Sequence, residues 1–282
     1  MTRTAISPRL AMRIFFSTDD NVGEVTRDNH PPNEVPLDIE GWNVAHLATI
    51  DSTNDELLRR HTAGGVVNRT VLVADVQTAG RGRLDRRWEA PAGSNLLFSV
   101  MFASPINNPQ RLQHAVALAV VEVVKELGVE HATLKWPNDV IVNAETDDGQ
   151  RGESLKLAGM LSTMTADGSV VIGTGCNVNW APEGACSVLG QTGREHKPTE
   201  VLERILEALD RLLGLAPESI DERYRASVDT VGRRVRVELP GGERLVGRAV
   251  QVNADGALEV IDECAVTHRF HAADVVHLRP AD

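Results

Sequence analysis

The segment Gln77-Thr78-Ala79-Gly80-Arg81-Gly82-Arg83 carries the densest chemical information in the chain. Glycine lets a backbone approach a ligand closely and reach conformations barred to other residues. The interleaved arginines bring planar, permanently charged donors suited to a phosphate or a carboxylate. Arg86 and Arg87 extend the positive charge, although the chain has 40 acidic against 29 basic residues and a formal charge of −11. Cations gathered in one loop of so acidic a chain make sense if that loop meets an anion; a solvated basic loop is the plain alternative. No GxxxxGK[ST] occurs, so this is not a Walker A loop. GTGCNV at 173–178 lacks the third glycine of a dinucleotide fingerprint.

Two further segments could do chemistry. In Lys135-Trp136-Pro137-Asn138-Asp139 the proline fixes a turn, and the Asn and Asp oxygens can hold a ligand or a hard metal ion. Read alone, Pro-Asn-Asp is also ordinary turn chemistry. In Lys156-Leu157-Ala158-Gly159-Met160-Leu161 a lysine opens an apolar run; it is either a strand-end surface residue or a point charge directed into a cavity. No Ser-His-Asp or Cys-His constellation stands out. His268 and His271 read as surface residues rather than metal ligands, and Cys176, Cys186 and Cys264 form no CxxC pair and read as small packed side chains.

The elements that must position these segments follow from periodicity. WNVAHLATI (42–50), TVLVADVQ (70–77) and NLLFSVMFA (95–103) have the length and composition of strands. Between the first two, Thr53 with Glu56 three residues on matches a capping box, which predicts a short helix. Residues 109–127 carry apolar side chains at helical spacing, opened by Pro109 and closed by Gly128. Three strands are expected around 132–136, 139–143 and 156–165, with 144–155 a solvated insertion on the hairpin before Lys156. Asp167-Gly168 signals a hairpin turn into SVVIGTGCNV. Helices are expected at 199–213, capped by Thr199, and at 217–227. From Val228 the texture changes to short strands with regular turns, which predicts a small all-β module.

Residues 1–41 are poor in periodicity and read as a flexible N-terminal tail, without a helix-turn-helix pattern. Residues 42–227 form the main domain and 228–282 the β module. With 42% apolar and 24% charged residues over 282 positions, the composition is that of an ordinary globular protein. Its acidity argues against nucleic acid as a partner, because phosphate neutralisation drives such binding. No apolar run approaches the roughly 18 residues of a membrane span, and the sparse, odd set of cysteines suggests a reducing compartment. A cytoplasmic protein without membrane contact is expected.

Taken in order, STN (52–54), QTAGRGR (77–83), NLLFSVMF (95–102), KWPND (135–139), KLAGML (156–161) and IGTGCNV (172–178) resemble the biotin–protein ligase family. The resemblance continues into VGRRVRVE, GRAVQVNADGALEV and ADVVHLRP and covers about residues 42–280. It implies an α+β fold: a central mixed or antiparallel sheet with flanking helices, of the class II synthetase-like biotin/lipoate ligase type, plus a small C-terminal SH3-like β-barrel. It implies ATP and Mg²⁺ as cofactors and biotin as substrate. Biotin would be activated to biotinyl-5′-AMP and transferred to a lysine of a biotin carboxyl carrier domain of an acyl-CoA carboxylase. A weak homodimer is compatible with it.

By the same resemblance, Ser52, Thr53 and Gln77 meet the ureido ring, Asn54 is a further binding residue, and Gly80, Arg81, Gly82 and Arg83 form a loop that closes over the adenylate. Arg81 and Gly82 would line the biotin carboxylate region. Lys156 would contact that carboxylate and the α-phosphate, with Gly159 on the same strand. Asn138, Asp139 and Asn177 fall on the nucleotide side, Asp139 also as a metal ligand or as the group orienting the incoming lysine. Lys156, Arg83 and Asp139 are the expected catalytic residues. Trp88 is either the aromatic of the closing loop or a core residue. Leu84-Asp85 departs from a GRGRRGR pattern, which puts contacts beyond Arg83 in question. A lipoate ligase or octanoyltransferase and a biotin-sensing repressor are the rival readings, with an inert scaffold a third.

Overall fold

The computed structural model describes residues 34–83, 86–104, 106–145, 151–239, 242–271 and 274–277. An eight-stranded sheet has the order β1-β2-β3-β4-β8-β7-β6-β5. Its strands are β1 (Glu34–Ile39), β2 (Trp42–Ile50), β3 (Thr70–Gln77), β4 (Leu96–Phe102), β5 (Ala132–Lys135), β6 (Asp139–Glu145), β7 (Arg151–Met164) and β8 (Val170–Cys176). β2 and β3 run parallel, whereas β1–β2, β3–β4, β4–β8, β7–β8 and β5–β6 are antiparallel. A parallel pair needs a crossover, and helix α1 (Thr53–Thr62) supplies it. The remaining helices are α2 (Pro109–Glu126), α3 (Val188–Thr192), α4 (Pro198–Leu213) and α5 (Pro217–Ser227).

The described chain divides into two compact units. One holds the residues as far as Pro109 together with Leu157–Glu207, the other Gln110–Lys156 together with the residues from Ala208. In the first, α1 lays Leu57 onto Ala45, Leu47, Leu72, Ala74, Met101 and Val171 of the strands beneath it. Full burial of one such leucine contributes about 1.5–3 kcal/mol, so this face fixes where the start of α1 stands over the sheet. In the second, α2 buries its run from His114 to Val121, and Val123 and Val124.

β9 (Arg234–Glu238), β10 (Arg244–Val252), β11 (Leu258–Asp262), β12 (Thr267–Phe270) and β13 (Asp274–His277) form a separate antiparallel sheet, ordered β12-β11-β10-β9-β13. Among the described residues nothing pairs β12 with β13, so the module is an open sheet edged by two four-residue strands rather than a closed barrel.

Four local expectations are corrected. The expected tail does not extend to residue 41, because Glu34–Ile39 pairs with β2 as an edge strand. Pro36 is tolerated there because an edge strand need not donate outward; the rest of the tail, 1–33, lies outside the described residues. The insertion at 144–155 is largely strand, with β6 reaching Glu145 and β7 starting at Arg151. Helix α4 begins at Pro198, ahead of the expected cap Thr199, since proline at a first helical position loses no hydrogen bond. Cys176 and Cys186 are buried as expected, but Cys264 is exposed at the turn after β11. No helix among the described residues is long and apolar enough to cross a membrane.

Candidate functional site

At the start of α1 the capping residue is Ser52 rather than Thr53: its Oγ accepts from the Asp55 amide at 3.3 Å. Glu56 is then not part of a capping box and pairs instead with Arg59 and Arg60. Thr53, as the first helical residue, keeps its hydroxyl for tertiary partners. It lies 2.8 Å from Ser99 Oγ and 3.2 Å from Gln77 Oε1, and its amide donates to the same Oε1 at 2.8 Å. The fold thus joins two of the expected ring-binding residues and adds Ser99, a buried hydroxyl that sequence reasoning passed over. Its signal was a lone polar residue in the otherwise apolar β4.

Neighbouring rows of this sheet face continue the site. Leu72, Ser99, Gly173 and Leu161 align across β3, β4, β8 and β7, and so do Ala74, Leu97, Gly175 and Gly159. A methyl group at Gly173 would press on Ser99 Oγ at 3.3 Å and on the Asn54 carboxamide at 3.4 Å. Asn54 Nδ2 donates to Thr163 Oγ1 at 3.3 Å, while its Oδ1 is buried without a hydrogen-bond donor among the described residues. A side chain at Gly175 would overlap the indole of Trp88. Trp88 therefore rests half-buried on bare backbone of this glycine row.

The glycine–arginine loop folds back on itself. Trp88 N–H donates to Gly80 O at 3.0 Å, and Gly82 N–H to Arg86 O at 2.7 Å. A Cβ at Gly80 would come within 2.5 Å of the Trp88 carbonyl, so glycine is required at this crossing. Arg81, expected near a ligand carboxylate, instead pairs with Asp55 in the first turn of α1. Burial raises the Asp55 carboxyl above its ordinary range, and the Arg81 charge opposes that rise. Arg83 is half-buried; Leu84 and Asp85 lie outside the described residues. Asn177 is buried with both ends of its amide engaged: Nδ2 donates to Cys186 O at 3.1 Å, and Oδ1 accepts from Asn95 at 3.2 Å.

The other unit carries the remaining expected residues. The turn from β5 to β6 brings Asp139 against Lys156, with Nζ 2.7 Å from Oδ1. Their side chains are 23% and 39% exposed, so the pair is open to exchange with an incoming anion. Asn138, half-exposed, stands between Asp139 and Pro137, whose carbonyl accepts from Gln113 Nε2 at 3.2 Å and from Tyr224 Oη at 3.3 Å. Trp136 is buried; its amide donates to Thr230 Oγ1 and its indole to Gly256 O. Gln113, Tyr224 and Thr230 escaped sequence reasoning because they act through the backbone of the turn. Among the described residues no three His, Cys, Asp or Glu side chains gather as a metal cluster. His268 is instead paired with Asp262 at 2.7 Å.

In the first unit, uncharged hydrogen-bonding groups beside a glycine floor and a cationic loop suit a neutral ring that bears an anion; in the second, the lysine–carboxylate pair by itself suits an anion. Comparison with known proteins gives the same direction. Residues 47–179 match the biotin/lipoate A/B protein ligase family, and residues 230–278 match the biotin protein ligase C-terminal domain. The biotin–[acetyl-CoA-carboxylase] ligase of Mycobacterium tuberculosis is 38% identical over 253 residues, covering 85% of this chain and 91% of that protein. The bifunctional ligase/repressor BirA of Bacillus subtilis is 33% identical, covering 81% and 71% respectively. Among solved structures, the biotin protein ligase of Aquifex aeolicus in complex with biotin and ATP superposes with a TM-score of 0.67 at 27% identity, over 84% of this chain and 99% of that one. With one relative matched along nearly its whole length and both parts of the chain matched by family, this chain belongs to the biotin protein ligase family.

Proposed function

We propose that the protein activates biotin with MgATP to biotinyl-5′-AMP and transfers biotin to a lysine of a carrier domain of an acyl-CoA carboxylase. The observation that carries this reading is the Thr53–Gln77–Ser99 cluster beside Asn54 and Gly173. A ureido ring is neutral and presents both donors and an acceptor, so it needs uncharged partners of both kinds. The buried Asn54 Oδ1 is an acceptor that such a ring N–H would satisfy. A charged substrate end would suit the arginines of the loop, and Lys156 is a further cation of a kind that suits a phosphate.

In the first step the biotin carboxylate attacks the α-phosphorus of ATP, and the bond to pyrophosphate breaks. Lys156, on leaving Asp139, would place its ammonium where negative charge builds on the α-phosphoryl oxygens. Asp139, once released, would offer a carboxylate oxygen of the kind that holds Mg²⁺. Bound Mg²⁺ would neutralise phosphate charge. In the second step the carrier's lysine amine attacks the activated carbonyl, AMP leaves, and the amine loses its proton to solvent. Neither step needs a covalent bond to the enzyme, so positioning and charge stabilisation suffice. The acidic charge favours no nucleic-acid partner, and the use of ATP favours the cytoplasm.

The test is biotin- and ATP-dependent labelling of a purified carrier domain, read by mass spectrometry. A biotin-sized increase on one lysine is expected. No labelling, with lipoate also inert, would replace this reading by a sensor or a scaffold. Arg83→Ala is expected to weaken retention of the adenylate about tenfold, the worth of one charge-assisted hydrogen bond. Unchanged retention in a filter-binding assay would remove Arg83 from the loop's contacts.

A further inference from the structure

We infer that Tyr224 and Gln113 are positioning residues for nucleotide binding, acting through the carbonyl of Pro137. Both donate to that single oxygen, at 3.3 and 3.2 Å, and so occupy both of its lone pairs. Pro137 immediately precedes Asn138 and Asp139, so the orientation of its carbonyl sets where these two residues project. The two donors come from separate helices, Gln113 from α2 and Tyr224 from α5.

The Tyr224 hydroxyl has little freedom. Its ring is buried and stacked on His114, with centroids 3.6 Å apart and planes at 14°. His114 Nδ1 faces Asp221 Oδ1 at 3.4 Å, and Arg111 holds the other oxygen of Asp221 at 2.8 Å. A line that starts at the half-buried Arg111 and runs through the buried Asp221, His114 and Tyr224 thus ends on the turn that carries Asp139. Burial, reinforced by the charge of Asp139, pushes the Tyr224 phenol well above its ordinary value, so it remains a donor at any working pH. Trp136, the residue before Pro137, is itself pinned by Thr230 and Gly256, so the turn is held on both sides of the Trp136–Pro137 bond. Buried polar groups satisfied in this way hold one geometry, because leaving any of them unpaired is costly.

The inference rests on the ligase reading, in which Asn138 and Asp139 meet the nucleotide. The test is the double substitution Tyr224→Phe, Gln113→Met, which keeps the ring stack and the side-chain volumes while removing both donors. Calorimetry would measure binding of a non-hydrolysable ATP analogue with Mg²⁺, and separately of biotin, to the full chain. Nucleotide affinity is expected to fall about tenfold, which corresponds to about 1.4 kcal/mol, while biotin affinity stays within about twofold. KM for ATP should rise in step, with kcat at saturating ATP nearly unchanged. Should the pair unfold at the assay temperature, Tyr224→Phe alone must shift nucleotide affinity in the same direction, about threefold. Unchanged nucleotide affinity in a folded variant, or equal loss of both ligands, would overturn the positioning role. Failure of the unsubstituted protein to bind the analogue would instead bring down the ligase reading itself.

Discussion

Replacing Lys156 by alanine is expected to slow biotinyl-5′-AMP formation about 100- to 1000-fold, the loss typical when one preorganised charge facing a transition state is removed. Its ammonium pairs with Asp139, and both side chains are partly open to solvent. Such a pair contributes on the order of 1 kcal/mol or less to stability, so the melting temperature should hardly move. Pyrophosphate release in the absence of carrier isolates the first step. Transfer from supplied biotinyl-5′-AMP should suffer less, since the α-phosphoryl charge has by then already developed. A near-wild-type rate of pyrophosphate release from K156A would strip Lys156 of its assigned role.

Acidification supplies the second large effect. Burial depresses His114 to about 4, and the cations Arg225 and Arg111 add to that, while Asp221 pulls the other way. An imidazole in the unfolded chain titrates near 6.5. Between these values the unfolded state binds a proton that the folded state refuses, so stability falls as pH drops from about 6.5 to about 4. At either extreme this group contributes no further slope. The difference amounts to about 3 kcal/mol. His114→Phe, which keeps a ring against Tyr224 and cannot take a proton, should flatten the stability–pH curve in that window. Parallel curves for the two proteins, from denaturant titrations at pH 6.5, 5.5 and 4.5, would show that His114 is not the responsible group. Below pH 4 both should lose stability together, because Arg59 holds Asp51, and Arg60 with Arg59 holds Glu56 against the opposing effect of burial, below the ordinary carboxylate range, so the unfolded chain takes up protons that the folded one refuses.

The long periodic elements were legible from residues alone. Helix α2 runs from Pro109 and stops short of Gly128, whose φ of 106° a side chain would resist. The Asp167-Gly168 hairpin and the C-terminal strands also stand where turn residues and alternation put them. β1 was not legible, because EVPLDI contains a proline and too few apolar residues to look like a strand. What holds it is tertiary: ladder bonds to β2, and Arg60 reaching Glu34 at 2.8 Å from the helix above.

The motifs by themselves determined which residue types are on offer for chemistry, since an ordered set of glycines, arginines, lysine and amides fixes chemical type whatever their final partners. Only the tertiary structure decided which partners each one meets. Ser52 and Thr53 cap helices almost equally well, and the choice fell on Ser52 because Gln77 and Ser99, 24 and 46 residues away from Thr53, offer that hydroxyl better partners. Arg81 and Asp55 find each other only once the loop folds back over α1. Gln113 and Tyr224 carry no motif at all, because they act on a backbone carbonyl and any donor of the right reach would serve. Spacing along the chain records local preference and residue chemistry; hydrogen bonds between distant segments exist only where the sheet and helices bring their atoms within about 3 Å.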